Sequence, residues 1–476
     1  MMTRKLPIIA VATALGKAGV GVIRISGSNL SQIAKALFQK ILTPRQASLF
    51  TLRDGDGAPI DQLITIYFAA PASFTGEDVL ELQCHGGPQL LELVMKRCLE
   101  LGKDQGLVIA EPGEFSLRAY LNNKIDLAQA EAIADLIDAQ SEAAVRGAAR
   151  SLQGAFSNDI NSLIEEITQL RILVESTLDF PEEEIEFLEN AQARERLSTV
   201  MQKLHALRNS AKQGKILRDG IQLVLAGAPN VGKSSLLNRL AGEEVAIVTP
   251  IAGTTRDRVK ENITIHGVPM HIIDTAGLRE TSDLVESKGI ERSWEAIRAA
   301  DLVVFLQDSG SQDGPESAEV SKLRAQMLKV IPPKCPILEV SNKSDLLSDL
   351  GANCSAKQSL LISAKTGDGI EALKQKILEL VGWGGSQEGA IVARRRHLDC
   401  LDRAASHLEK SHQFAANGNI SLELFAEELR LAQDQLGQIT GKLLPMTFWV
   451  KYLASFVSAN RGFIPAGGAL KICPKC

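Results

Sequence analysis

Eight residues constrain this chain more than any others: "GAPNVGKS", Gly227 to Ser234. They fit the spacing G-x-x-x-x-G-K-[ST], with the apolar run "LVLAG" before them and "SSLLNRL", at helical spacing, after them. A strand that turns through glycines into a helix wraps backbone N–H groups around phosphate oxygens. The helix N-terminus adds partial positive charge. Lys233 then reaches the outer phosphates, and the Ser234 hydroxyl is a ligand for Mg²⁺. The surroundings agree. The β-branched runs "IQLVLAG", "HIIDTAG", "LVVFLQD" and "PILEVSN" alternate with helical segments over residues 220–382. That is the texture of a parallel sheet with crossover helices.

Four further motifs follow in order. "GTTRD" places Thr255 to sense the γ-phosphate and Mg²⁺. "DTAG" supplies Asp274, which can hold Mg²⁺ through water, and Gly277, whose amide can meet the γ-phosphate. In "NKSD" the Asp345 carboxylate can accept both N–H groups on guanine's Watson–Crick edge, a pair adenine lacks. "SAK", Ser363 to Lys365, can support the base through backbone amides. The set predicts a GTPase domain. One position departs from the common pattern: Leu278 follows D-x-x-G, where many GTPases carry a glutamine that orients water. Asn230, inside the loop, offers a carbonyl for a monovalent cation that would neutralise developing charge. Glu286 is either the missing water holder or a solvated carboxylate.

Outside this block the texture changes. Residues 1–122 mix strand-like "GVGVIRISG", "LITIYFAA" and "EDVLELQCHGG" with glycines, an α+β pattern. Residues 123–219 and 383–476 are helical in periodicity. The economical reading is one discontinuous helical domain with the α/β domain inserted in it; two separate helical domains is the alternative. A length of 476 residues suits about three domains, and a net charge of −5 means that any polyanion must meet a local basic patch. No signal peptide and no bilayer-length apolar run is evident, and seven scattered cysteines suit a reducing compartment, so a cytoplasmic protein without membrane contact is expected.

Taken together, these features resemble the MnmE (TrmE) family of tRNA-modifying GTPases. The resemblance runs to about residue 442 and is carried by "GVIRISG", "FTGEDVLELQCHGG", "EPGEFSLRAYLNNKIDLAQAEAIADLI", "VTPIAGTTRDR", "DTAGLRETSD" and "ELRLAQDQLGQITG". It implies an N-terminal tetrahydrofolate-binding and dimerisation domain, a helical domain, and an inserted Ras-like P-loop G domain. It implies a homodimer that works with a FAD-dependent MnmG-type partner. The pair installs an aminomethyl-type group on C5 of the wobble uridine of tRNA, with a one-carbon unit from 5-formyltetrahydrofolate or a relative. It implies K⁺-driven pairing of G domains that activates hydrolysis. Carried onto this sequence, K⁺ falls to Asn230, Thr249, Ile251 and Thr254, Mg²⁺ to Ser234 and Thr255, and catalysis to Glu286 and Lys233. GTP contacts fall to Asn230, Val231, Gly232, Lys233, Ser234 and Ser235; to Thr249, Pro250, Ile251, Ala252, Gly253, Thr254 and Thr255; to Asp274, Thr275, Ala276 and Gly277; and to Asn342, Lys343, Asp345, Ser363, Ala364 and Lys365. The folate site falls to Arg24, Glu81 and Lys124: a carboxylate suits the pterin edge, and basic groups suit the folate carboxylates. His85, which ends a strand before a turn, reads as structural or as a support of the folate pocket, and Cys84 reads as core. The run Arg394–Arg396 reads as a tRNA-phosphate contact or a solvated helix start. A ribosome-assembly GTPase of the Era/Der type shares the G motifs but not the N-terminal ones. A folate-dependent aminomethyl transferase with a regulatory GTPase is a further alternative.

The tail departs from the family. The family ends in Cys-[Ile/Leu]-Gly-Lys, whereas this chain from about residue 445 reads "PMTFWVKYLASFVSANRGFIPAGGALKICPKC". Read from the third base of each codon, Met446-Thr447 forces Asp, Phe448-Trp449 allows only Leu, and Trp449-Val450 forces Gly. Codon choices exist for that frame to continue as "DLLGKIFSKLCIGK" and stop at Asn460-Arg461. The expectation is a frameshift near Pro445, with Cys473 and Cys476 products of out-of-frame translation. A lone Cys-x-x-Cys cannot complete a tetrahedral zinc site.

Overall fold

The computed structural model describes residues 6–14, 16–179, 193–228, 230–243, 260–274, 294–295, 297–309, 324–325, 327–349, 359–385, 391–416 and 422–441. Contacts divide the chain into two compact units, one running to Ala130 and taking in Gly441, the other spanning Glu131–Thr440.

The first unit is a six-stranded sheet in the order β3-β4-β5-β2-β1-β6. Its strands are β1 (Ile8–Val11), β2 (Ala18–Gly27), β3 (Ser48–Arg53), β4 (Pro59–Phe68), β5 (Asp78–Gly86) and β6 (Val108–Ile109). All pairs are antiparallel except β1 with β6. Alternation decides the faces. Ile23, Ile25, Leu80 and Leu82 point into a core closed by α1 (Ser31–Phe38) and α2 (Pro88–Leu101). Arg24 and Glu81, between them, face the other way. After α3 (Glu114–Leu121), Asn122 donates to the Thr75 carbonyl at 2.6 Å. Ser26 and Thr75 share a 2.7 Å hydroxyl contact, so the 71–77 loop is tied to both β2 and α3.

Helix α4 (Leu127–Asp138), which enters the second unit at Glu131, and then α5 (Glu142–Leu152), α6 (Ala155–Asp179) and α7 (Ala193–Asp219) precede the second sheet. The periodicity that announces them is real packing: Phe156, Ile160, Leu163, Ile167, Leu170 and Val174 recur every three or four residues along α6 and are all buried. Gly214 on α7 meets the returning chain so closely that a Cβ there would lie 1.7 Å from the Ile391 carbonyl oxygen. The inserted sheet has the order β12-β11-β10-β7-β9-β8. Its strands are β7 (Ile221–Gly227), β8 (Lys260–Ile265), β9 (Val268–Asp274), β10 (Leu302–Asp308), β11 (Ile337–Asn342) and β12 (Leu360–Leu361). Every pair is parallel except the β8–β9 hairpin. Leu223 and Leu225 feed one core and Val224 and Ala226 another, which is why β7 is an unbroken apolar run. Helices α8 (Lys233–Glu243) and α9 (Ile370–Leu380) belong to this domain; α10 (Arg395–Ala416) and α11 (Leu422–Thr440) complete the helical one. The fold is therefore N-terminal α+β, discontinuous helical, and inserted P-loop α/β, as the sequence predicts.

Candidate active site at the edge of the inserted sheet

Parallel register brings the motif residues to one edge. Gly227 pairs with Leu306, Asp274 with Leu225, and Asn342 with Asp308. The C-terminal ends of parallel strands are where such sheets bind ligands. The loop after β7 uses left-handed backbone twice, at Asn230 (φ +61°) and Gly232 (φ +95°). Gly232 is required for a second reason: a Cβ there would stand 2.2 Å from Asn342 Nδ2. The Lys233 side chain is buried, and its ammonium donates to the carbonyls of Gly227 (2.9 Å) and Ala228 (2.8 Å). It thus lies inside the curve of the loop, where a phosphate oxygen would offer it a full negative charge.

Asn342 is the brace of the site. Buried to 2% exposure, it donates from Nδ2 to the Val231 carbonyl at 2.7 Å and accepts the Ala364 N–H on Oδ1 at 2.9 Å. One amide therefore locks the phosphate loop to the "SAK" turn. Ser363 donates its hydroxyl to Asp345 Oδ1 at 2.7 Å and accepts the Thr366 N–H at 3.1 Å, which fixes that carboxylate. Lys343, itself left-handed (φ +68°), pairs with Asp308 at 2.6 Å. Arg239 on α8 donates to the Lys365 carbonyl at 2.8 Å. Sequence reasoning missed Asp308 and Arg239. The one available signal for Asp308 was its place as the last residue of a strand, "LVVFLQD", beside "NKSD".

Ser234 and Ser235 are exposed in the first turn of α8, and the Ser234 hydroxyl makes no hydrogen bond among the described residues, so it fits a hard cation. Asn230 is likewise exposed. Asp274 is placed by backbone register alone. Thr249, Pro250, Ile251, Ala252, Gly253, Thr254, Thr255, Thr275, Ala276, Gly277, Leu278 and Glu286, and the tail with Cys473 and Cys476, lie outside the described residues.

In the N-terminal unit, Arg24 and Glu81 are direct cross-strand partners. The Arg24 guanidinium meets Glu81 Oε1 at 2.7 and 2.9 Å and stands 5.5 Å from the Phe74 ring centre. Lys124 donates to the Pro71 carbonyl at 3.1 Å, and its stem lies against Gly76. The 71–77 loop therefore touches both cations, so the three predicted residues share one neighbourhood.

Two family models match the chain, one described as the GTP-binding protein TrmE N-terminus over residues 7–124 and one as the MnmE helical domain over residues 127–446. The curated tRNA modification GTPase MnmE of Polynucleobacter asymbioticus is 76% identical over 96% of this chain and 99% of its own length. The protein of the same name in Bordetella parapertussis is 54% identical over 93% of this chain and 96% of its own. The chain belongs to the MnmE family of tRNA modification GTPases. It is a GTP-hydrolysing enzyme that acts in tRNA modification. Among solved structures, the Era protein of Aquifex aeolicus bound to GDP and AlF₄⁻ is 25% identical, covering 39% of this chain and 65% of that one with a TM-score of 0.26.

The helical part of this MnmE-family fold corrects one expectation. Arg394 and Arg396 are neither phosphate contacts nor a solvated helix start. Arg394 is buried and donates to Asp135 at 2.6 Å; Arg396 grips both oxygens of buried Glu131 at 2.8 Å. Only Arg395 is exposed. Arg218 joins Asp135 at 2.8 Å, and His397 Nε2 stands 2.8 Å from Glu131. Burial alone would raise the Glu131 carboxyl, but His397 and Arg396 outweigh it and hold it well below the usual range. His397 is pushed down by burial, consistent with its Nδ1 accepting the Arg394 N–H. Burial pushes the Cys84 and Cys98 thiols up to about 12, so neither offers a thiolate at neutral pH. His85, with an exposed side chain, is paired to Asp61 at 2.7 Å.

Proposed function

We propose that this enzyme is the GTP-hydrolysing half of a complex that adds a carboxymethylaminomethyl or aminomethyl-type group to C5 of the wobble uridine of tRNA. The observation that carries the reading is the interlocked Lys233–Asn342–Asp345–Ser363 cluster in a chain that matches tRNA modification GTPases along almost their whole length. The proposal divides the chain into a folate-binding and dimerisation domain over residues 1–122, a helical domain over 123–219 and 383–476, and a GTP-binding domain over 220–382. Lys233 and the P-loop amides hold the phosphates. Ser234 and Thr255 hold Mg²⁺, which neutralises charge between the outer phosphates. Asn230, with Thr249, Ile251 and Thr254, holds K⁺, and Glu286 orients water where Leu278 cannot. G domains of a homodimer close on one another during turnover. Arg24, Glu81 and Lys124 take a tetrahydrofolate that delivers the one-carbon unit, and an MnmG-type FAD protein completes the complex in the cytoplasm.

The Era/Der alternative does not account for a matched N-terminal domain. No described helix is long and apolar enough to cross a membrane. The helical-domain match stops at residue 446, where the sequence leaves the family ending, which supports a frameshift near Pro445. Nucleoside mass spectrometry tests the whole reading. Cells lacking the gene should lose modified wobble uridine; modification that persists in the deletion strain rejects the assignment. Complementation with this chain, and with a chain restored to the Cys-Ile-Gly-Lys ending, separates the role of the tail from that of the enzyme.

A further inference from the structure

Helix α7 is the most cationic of the described helices. It carries seven Lys and Arg against two Asp and Glu in 27 residues, within a chain of net charge −5. Lys203 and Arg218, on its flanks, are paired to Glu166 at 2.6 Å and Asp135 at 2.8 Å, and Lys215 is paired to Asp219 at 3.7 Å. Arg194 and Lys212 are exposed and make no ion pair among the described residues. They lie on a line with Ser198, Met201, His205 and Arg208 at spacings of three and four, hence on one face, and span roughly 27 Å of helix at 1.5 Å per residue.

That face borders a cavity of about 600 Å³ between α7 and α10. Gln202, His205, Arg208 and Asn209 line it from α7, and His412 and Glu409 from α10. Hydrogen-bond donors dominate the rim, Glu409 is its single carboxylate, and Leu204 and Leu408 form an apolar floor. Arg208 is paired to Asp402 beside the cavity. A row of cations flanking a donor-rich groove with an apolar base suits a sugar–phosphate strand, whose phosphates meet the charges and whose bases have a surface to cover. An acidic overall charge makes such a patch necessary for any nucleic-acid substrate.

We propose that the α7–α10 groove is a docking surface for the tRNA backbone, an inference that rests on the tRNA-modification reading above. The test is tRNA binding by the full chain, measured by filter retention across a salt series, for wild type, the double variant R194A/K212A, H205A and K203A. Loss of two phosphate contacts should lower the slope of log K against log salt by about 1.4 to 1.8 and weaken binding about 25- to 60-fold at 0.1 M salt. H205A should weaken binding with no change in slope. K203A removes one charge on another face and should bind like wild type. GTP turnover without RNA should be equal in all four. Unchanged affinity and slope in R194A/K212A overturns the proposal. So does an equal loss in K203A, which would mean diffuse charge, or loss of a protein partner with tRNA binding intact. Failure of the underlying reading would look different: wild type itself would not turn over GTP or bind tRNA.

Discussion

Two polar clusters in this protein use the same chemistry for opposite ends. In the helical domain, Glu131, Asp135, Arg394, Arg396 and Arg218 satisfy one another at 2.6 to 2.8 Å around groups that are almost wholly buried. At the sheet edge, Lys233 holds two backbone carbonyls and Asp345 a serine hydroxyl, neutral partners that a phosphate and a guanine can outbid. The first cluster fixes structure: it clamps both crossings into the inserted domain, at residues 218 and 394, onto α4. The second is a binding site preorganised by its own side chains. What separates them is burial: the first closes its ion pairs inside the helical domain, whereas the second also holds carbonyl and hydroxyl partners that a charged ligand can replace.

The contrast can be broken experimentally. Glu131→Ala leaves Arg396 beside an uncompensated buried site and should cost about 3–5 kcal/mol in denaturant unfolding, with nucleotide affinity of the folded enzyme unchanged. Lys233→Ala should do the reverse. Hydrolysis should fall roughly 100- to 1000-fold, by analogy with loss of one charge-stabilising donor, while the unfolding midpoint without nucleotide stays within a degree or two. Asp345→Asn should weaken GTP by on the order of 100-fold and improve xanthosine triphosphate, whose 2-oxo group accepts the new amide donor; equal losses for both would mean that Asp345 does not read the base. Asp308→Ala should raise the GDP dissociation rate only about three- to tenfold, since the Lys343–Asp308 pair is partly exposed.

The smallest effect is in pH. His397 lies below its ordinary 6.5 and Glu131 well below 4.5, so the unfolded chain takes up protons that the native state refuses. Stability should be complete above about pH 6.5 and fall as pH drops, first through His397 and then, below 4.5, through Glu131. His397→Gln should remove the upper part of that decline in unfolding midpoints measured from pH 7.5 to 5, and an unchanged profile would show that His397 keeps its ordinary value.

The legible parts of the fold were those with local causes. The strand–glycine–helix passage at 221–243, the heptad-like burial of α6 and the alternation of β5 are each dictated by neighbours in sequence. The parallel order of the motifs also announced which strand ends would meet. The illegible parts were long-range. Nothing near Arg394 reveals that its charge is spent on Asp135, 259 residues away. A run of three arginines at a helix start reads as surface until the fold buries two of them. Asn342 reads as part of a base-binding motif, yet its amide joins two loops.

By itself, then, the sequence determined the chemistry: which residues can cradle phosphate, which can tell guanine from adenine, and that an α/β domain interrupts a helical one. Those follow from residue type and spacing, which need no third dimension. Only the tertiary structure decided how each polar side chain is used, because partners are chosen by proximity after packing. It set Asn342 as a brace, Asp308 as the anchor of Lys343, two arginines as a buried clamp, and α7 as a helix with exposed cations on the face that borders a cavity.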